Sequence, residues 1–198
     1  MSPSLLIATT NRGKISEMQA LLASLPFSLV LPRDLGLDLQ VVEDGHTYAE
    51  NASKKASAFC AAGGLIALAD DSGLEVDLLD GQPGLYSARY SGIPGANDAD
   101  RRAYLLQKLA AKPRPWLAHF HCTVAIAAPG QEVRFAEGDC PGEIIPQERG
   151  SNGFGYDPIF IVSGTSSTMA ELSMDEKNRL SHRARAVNAA LPLLRSLL

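Results

Sequence analysis

The spacing of apolar and polar residues predicts strands and helices in alternation over the first half of the chain. A short apolar run at 4–9 precedes apolar positions three and four apart at 15–22, which predicts a strand followed by a helix. A second strand is predicted at 28–31. A capping-box pattern from Thr47 then predicts a helix that ends before the glycine pair 63–64. Such alternation is typical of α/β proteins.

The most informative stretch is 65–74, where an apolar run meets the adjacent carboxylates Asp70 and Asp71. The apolar run predicts a buried strand, and residues 70–73 predict the turn in which that strand ends. Adjacent carboxylates repel each other unless a cation or a shared proton holds them. A solvated turn explains this pattern as well as a catalytic or binding site does. Motifs elsewhere in the chain are needed to choose between the two interpretations.

The second half of the chain predicts a strand at 74–78, a helix capped by Asn97, and a β-hairpin. The alternating run 118–126 and the segment 132–137 flank a Pro-Gly turn and form that hairpin. We therefore predict an α/β fold, with a mixed β-sheet, flanking helices and two lobes around a central cleft. No linker divides the sequence, so residues 1–198 are predicted to form a single domain.

The C-terminal region predicts one more helical stretch that starts with a capping box at Ser173. On one unbroken helix, Lys177 and His182 would point about 140° apart. If both contact one ligand, the helix must break near Ser181, which can itself cap a new helix. Pro192 is expected to kink the last helix rather than to end the domain.

Composition narrows the classes of protein and partner. The net charge of −4 disfavours non-specific binding to nucleic acid or to anionic membranes. No apolar run approaches the roughly 20 residues of a membrane span, and the N-terminus lacks a secretory pattern. Three widely spaced cysteines favour reduced thiols in the cytoplasm over disulfides or a zinc site.

Two glycine-containing stretches are candidate binding loops. Residues 9–14 combine a strand end, a polar turn and a helix start, a geometry that presents backbone N–H groups to an anion, although Walker A spacing is missing. Residues 150–158 place three glycines around aromatic side chains, which suits a flat ligand or a packed loop equally. His119 and His121 share a strand face, and hydrogen-bonded histidines are favoured there over a metal site.

Five short motifs occur in an order and spacing that resemble a known family. They lie at 8–14, 69–74, 86–92, 153–158 and 181–183. In this combination the chain resembles the non-canonical purine nucleoside triphosphate pyrophosphatases, the "house-cleaning" enzymes for inosine and xanthosine triphosphates. The resemblance runs from Ser4 to about Leu194. It implies a nucleotide-binding cleft, Mg²⁺-dependent hydrolysis of ITP, dITP and XTP to the monophosphate and pyrophosphate, a homodimer and a cytoplasmic location.

The resemblance also implies roles for individual residues. Asp71 corresponds to the general base and a metal ligand, and Glu43 to a Mg²⁺ ligand, with Asp44 as the alternative. Asp70 is expected to support them. The implied substrate-binding residues are Thr9, Thr10, Asn11, Arg12, Gly13, Lys14, Ser72, Phe154, Gly155, Tyr156, Asp157, Lys177, His182 and Arg183. Within this set, 9–14 would bind the triphosphate, 154–157 the base, and His182 with Arg183 the purine edge.

Two rival functions fit parts of the same pattern. A non-catalytic nucleotide sensor would bind the triphosphate without releasing pyrophosphate. A glycosidase would use the paired carboxylates, but it gives no reason for Lys14 or for the basic C-terminal residues. Fixed positive charge from Lys14, Lys54, Lys177 and Arg183 favours attack on a phosphoanhydride, because that reaction depends on neutralising phosphate charge.

Overall fold

A computed structural model describes residues 2–198, in which six strands form one mixed sheet. The strands are β1 (Ser4–Ile7), β2 (Ser28–Val30), β3 (Ile66–Val76), β4 (Trp116–Ala127), β5 (Arg134–Ile144) and β6 (Phe160–Val162). Their order in the sheet is β2-β1-β3-β4-β5-β6. β1 pairs in parallel with β2 and β3, whereas β5 and β6 are antiparallel. The predicted mixed sheet of an α/β protein is confirmed.

The helices begin and end where the local signals place them. They are α1 (Arg12–Leu22), α2 (Tyr48–Gly63), α3 (Asp98–Leu109), α4 (Met174–Leu180) and α5 (His182–Arg195), with 3₁₀ turns at Pro32–Leu35, Asp77–Leu79, Gly84–Arg89 and Asp157–Ile159. Thr47, Asn97 and Ser173 accept N–H groups of the first turns of α2, α3 and α4, as predicted. Within residues 2–198, none of the helices has the length and apolar character that crossing a bilayer requires.

The chain divides into two compact units. The first contains the residues up to Asp71, together with Cys122–Gly138 and Arg183–Leu198; the second contains Ser72–His121 and Asp139–His182. The three long strands β3, β4 and β5 each contribute residues to both units. This division does not test the expectation that residues 1–198 form a single domain, which stays a prediction.

Each unit has its own buried apolar core. In the first unit, Leu5 belongs to one cluster with residues of α1 and α5, and its neighbour Leu6 to another with residues of α2. This alternation follows from the two-residue period of a strand whose faces are both covered. The core of the second unit includes Leu105 of α3 and Phe160 of β6.

The structure corrects the prediction at 70–73. Instead of a turn between two strands, β3 continues without interruption through these residues. Asp70 and Asp71 are only 1% and 7% exposed. Asp70 pairs with Lys14, and Asp71 accepts a hydrogen bond from Asn51. Because protein groups replace water around both carboxylates, the backbone can stay extended and buried there.

The helix breaks at Ser181, as expected if Lys177, His182 and Arg183 contact one ligand; that shared contact stays a prediction. α4 ends at Leu180, Ser181 has an extended backbone with φ −68° and ψ 156°, and α5 starts at His182. Pro192 lies inside α5, which continues to Arg195 as expected. The break also marks a boundary, since His182 belongs to the second unit and Arg183 to the first.

Candidate active site

In the first unit, residues 9–14 form a tight connection from β1 to the start of α1. Thr9 Oγ1 accepts the Asn11 N–H (3.2 Å), and Asn11 Oδ1 caps the helix by accepting the Lys14 N–H (3.1 Å). Thr10, Asn11 and Arg12 are exposed. The positive end of a helix dipole together with nearby cationic side chains suits an anionic group such as phosphate.

Asp71 is the centre of a group of polar side chains contributed by β3 and α2. Asn51, which is 1% exposed, donates through Nδ2 to Asp71 Oδ2 (3.0 Å) and accepts the Gly45 N–H at Oδ1 (2.8 Å). Asn51 thereby ties the loop before α2 to the Asp71 carboxylate. Burial raises the pKa of Asp71 although Lys55, Lys14 and Asn51 oppose the shift.

Lys55 was missed by sequence reasoning, which chose Lys54 as the cation on α2. The Lys55 ammonium lies 2.9 Å from Glu43 Oε2 and 3.7 Å from Asp71 Oδ1. Burial lowers the pKa of Lys55, but Asp70, Asp71 and Glu43 outweigh burial and raise it. Lys54 instead pairs with Asp44 Oδ1 (2.6 Å), and both side chains are largely exposed. The helical spacing of Asn51 and Lys55, four residues apart, was the available signal.

These contacts bear on the choice between Glu43 and Asp44 as a metal ligand. Glu43 and Asp71 lie near the same cation, Lys55, whereas Asp44 contacts Lys54. Within residues 2–198 no three or more His, Cys, Asp or Glu residues form a group that could hold a metal ion by themselves. Mg²⁺ needs only one or two carboxylates, because substrate phosphates and waters complete its coordination. The carboxylates of Glu43 and Asp71 therefore fit the needs of Mg²⁺. Their common contact with Lys55 favours Glu43 over Asp44 as the candidate ligand beside Asp71.

Asp70 belongs to a second charge network, in which Asp70, Arg183 and Glu17 are buried and Lys14 is partly buried. Its Oδ2 lies 3.0 Å from the Lys14 ammonium and 3.1 Å from Arg183 Nε, and Arg183 also donates through Nη1 to Glu17. Burial opposes ionisation, but Lys14, Arg183 and Lys55 hold the pKa of Asp70 far below its usual range. No local pattern in the sequence indicates Glu17, which lies on the α1 face that packs into the core.

Arg183 has a structural role, the neutralisation of buried carboxylates, in addition to its predicted contact with the base. Its side chain is 1% exposed, and its two ion-pair partners both belong to the first unit. The contact between Arg183 and a purine stays a prediction. The ion pairs fix the direction of Asp70 and, through it, the position of the Lys14 ammonium.

In the second unit, the loop 154–157 is held by its own side chains and by α4. Asp157 Oδ2 accepts the Phe154 N–H (2.9 Å) and a hydrogen bond from Lys177 Nζ (2.6 Å). The Lys177 ammonium lies 5.0 Å from the centre of the Phe154 ring. Gly153 has φ +75°, and a Cβ there would lie 2.0 Å from Asp157 Oδ2, so only glycine fits.

The other predicted residues of the second unit have these positions. Tyr156 is 4% exposed and donates through its hydroxyl to the Ser87 carbonyl (2.9 Å). The His182 ring stacks on Phe120, with centroids 4.7 Å apart. Ser72 follows Asp71 in β3 and is half-buried. The structure thus brings Phe154, Asp157 and Lys177 into contact and fixes Tyr156 and His182 on separate partners.

His119 and His121 each lie next to a carboxylate on a neighbouring strand. His119 Nε2 is 3.3 Å from Glu75 Oε2, and His121 Nδ1 is 2.7 Å from Asp139 Oδ1. These contacts agree with the favoured interpretation of hydrogen-bonded histidines.

The fold is that of an α/β protein. The charged groups of its first unit suit an anionic group, and the Phe154 ring of its second unit suits a flat one. The model of the Ham1 family matches residues 5–193. A dITP/XTP pyrophosphatase of Geobacter sulfurreducens is 49% identical over 184 residues, which cover 92% of each chain. The chain belongs to the Ham1 family, which confirms the resemblance carried by its motifs.

Solved structures agree with this assignment. A HAM1 protein from Coxiella burnetii has a TM-score of 0.87 and 38% identity, covering 98% of this chain and 99% of that chain. A nucleoside-triphosphatase / dITP/XTP pyrophosphatase from Mycobacterium abscessus has a TM-score of 0.73 and 40% identity, covering 96% and 99% of the two chains. The fold is therefore shared over nearly the whole length of each chain.

The buried network predicts a large difference between two arginines of α5. Arg183→Met should lower the free energy of unfolding by about 3–5 kcal/mol, because it removes the cation that pairs with two buried carboxylates, those of Asp70 and Glu17. Arg195→Met, at an exposed position of the same helix, should change it by less than about 0.5 kcal/mol. Urea unfolding measures both, and equal stability of the two variants would contradict the network.

Proposed function

We propose that this protein hydrolyses the anhydride between the α- and β-phosphates of ITP, dITP and XTP, giving the nucleoside monophosphate and pyrophosphate. The observation that carries the proposal is that the carboxylates of Glu43 and Asp71, from separate segments, lie 2.9 Å and 3.7 Å from the same Lys55 ammonium. Membership of the Ham1 family and the names of its curated relatives support the same reaction.

The phosphate end of the substrate is assigned to the first unit. Glu43 and Asp71 would hold Mg²⁺, which supplies neutralisation of phosphate charge when bound. Residues 9–14 would bind the phosphates through backbone N–H groups and side chains, with Lys14 fixed by its contact with Asp70. Lys55 adds a second cation beside the same carboxylates.

The attacking water is assigned to Asp71. Because burial raises its pKa, Asp71 is a better proton acceptor than an ordinary carboxylate. Asn51 orients the carboxylate by donating to Oδ2, which leaves Oδ1 on the side of Lys55. Burial opposes ionisation of Asp70, but Lys14 and Arg183 lower its pKa, so Asp70 is assigned the role of orienting these cations and not that of the base.

The base is assigned to the second unit. Phe154 offers an aromatic face, and the Lys177–Asp157 pair fixes the loop that carries it. Inosine and xanthine have an oxygen where adenine has an amino group, so hydrogen-bond donors select them. His182 and Arg183 are the proposed donors, and His182 belongs to the same unit as the loop.

A homodimer and a cytoplasmic location complete the proposal. The family resemblance supports the homodimer. All three cysteines are free thiols, as is usual in a reducing compartment.

Incubation with a panel of nucleotides and Mg²⁺ tests the proposed reaction. We expect pyrophosphate and the monophosphate from ITP, dITP and XTP, much slower turnover of ATP, and loss of activity in EDTA that Mg²⁺ restores. Orthophosphate as the first product, or turnover without metal, would contradict the proposal. Tight binding without turnover would instead indicate a nucleotide sensor.

The assignment of Asp71 as the base predicts a specific defect. Asp71→Asn should reduce kcat for ITP by roughly 10²–10⁴, because it removes the proton acceptor. The variant should retain the far-UV circular dichroism of the wild type, since an amide has nearly the same shape. Turnover near the wild-type rate would remove Asp71 from this role.

The two acidic residues before α2 should differ in their effect on the metal. Glu43→Gln should raise the Mg²⁺ concentration for half-maximal activity by about tenfold or more, because it removes one of the two charged ligands. Asp44→Asn is the matched control and should leave that concentration unchanged, since Asp44 pairs with Lys54. The opposite order would assign the metal to Asp44.

A further inference from the structure

Helix α3 contacts both backbone hydrogen-bonding groups of Gly155, a residue of the loop assigned to the base. The Gly155 N–H donates to Asp98 Oδ2 (2.7 Å), and the Gly155 carbonyl accepts a hydrogen bond from Arg102 Nη1 (2.8 Å). Asp98 and Arg102 are four residues apart, so their side chains lie on the same face of α3. We call these two side chains the Gly155 clamp.

The clamp is itself held in place by further charges. Arg102 makes a two-pronged ion pair with Glu148, through Nε to Oε1 (2.8 Å) and Nη2 to Oε2 (2.9 Å). Arg101 pairs with Asp98. Burial would raise the pKa of Asp98, but the Gly155 N–H and Arg101 outweigh burial and lower it. Both members of the clamp take part in ion pairs, and charge-assisted hydrogen bonds are the stronger kind.

Gly155 is the point of the loop that most needs such support. Its φ is +62°, and a Cβ there would meet no atom within 4 Å, so packing alone does not hold this residue. Its neighbours have other anchors, since Asp157 accepts the Phe154 N–H and Tyr156 donates to Ser87. Apart from the clamp, a backbone hydrogen bond from the Asp157 N–H to the Phe154 carbonyl (3.2 Å) closes the turn around Gly155. Within residues 2–198, the clamp adds the only side-chain hydrogen bonds to the backbone of Gly155 itself.

We propose that Asp98 and Arg102 are positioning residues that order the loop 154–157 before the base binds, an inference that rests on the proposed function of this loop. A loop ordered in advance loses less conformational entropy on binding, which strengthens affinity without changing the chemical step. The clamp therefore acts on KM and on the choice of base. It leaves kcat nearly unchanged, because the base is held alike in the ground and transition states.

Three variants and one control test the clamp. Arg102→Met and Asp98→Ala should each raise KM for ITP by roughly tenfold, the effect of losing one hydrogen bond to a charged group. Each should keep kcat within about threefold of the wild type and reduce the ratio of kcat/KM between ITP and ATP. Asp98→Asn keeps an oxygen acceptor for the Gly155 N–H and should restore most of the affinity. Arg114→Met, which removes a different arginine–glutamate pair of the second unit, is the control.

Hydrogen–deuterium exchange of peptides covering 150–158 gives a readout that does not depend on turnover. Exchange should speed up in Arg102→Met and Asp98→Ala but not in Arg114→Met, with thermal unfolding showing that each variant is folded. Wild-type activity with unchanged KM in both clamp variants would overturn the inference while the proposed function stands. If the wild type releases no pyrophosphate, the proposed function fails. In that case, unchanged exchange of peptides 150–158 in Arg102→Met and Asp98→Ala would separately overturn the clamp.

Discussion

The burial of two consecutive carboxylates in strand β3 is the constraint on which the rest of the first unit depends. An unpaired buried carboxylate is costly by several kcal/mol, so Asp70 and Asp71 each require partners. Consecutive strand residues point to opposite faces, and the two carboxylates accordingly contact different elements. Asp70 meets Lys14 from α1 and Arg183 from α5, whereas Asp71 meets Asn51 from α2. The same requirement explains why distant segments of the chain come together here.

The opposite environments of these neighbours separate their chemical roles. Fixed cations hold Asp70 ionised, while burial with weaker compensation raises the pKa of Asp71. A pair of titratable groups whose surroundings push their pKa values apart is a common way to assign one as a fixed charge and the other as an acid or base. In this protein the fixed charge orients Lys14, and the adjustable carboxylate lies beside Lys55 and near Glu43. Positioning and proton transfer are thus divided between adjacent residues.

The sequence predicted those features that local chemistry decides. Side-chain caps, glycine stops and hydrophobic spacing located the helices, and the angle between Lys177 and His182 predicted the break at Ser181. The turn predicted at 70–73 was wrong because its carboxylates are neutralised by partners far away in the chain, such as Arg183, 113 positions from Asp70. The choice of Lys54 instead of Lys55 has a similar cause. Helical spacing shows which side chains share a face of α2, but only the tertiary fold shows that Lys55 is the lysine near Asp71 of β3. The roles expected for individual residues came from the resemblance of the motifs to a known family, because residue spacing and charge alone do not indicate them.

The pKa values of Asp70 and Asp71 should depart from that of an ordinary aspartate in opposite directions, down for Asp70 and up for Asp71. Carbon-13 NMR of their side-chain carboxyls in metal-free protein tests this difference most directly. The account predicts that Asp71 titrates above the ordinary aspartate value of about 3.9. It also predicts that Asp70 shows no titration at any pH at which the protein stays folded. Titration of both carboxyls together near the ordinary value, or the reverse order, would contradict it.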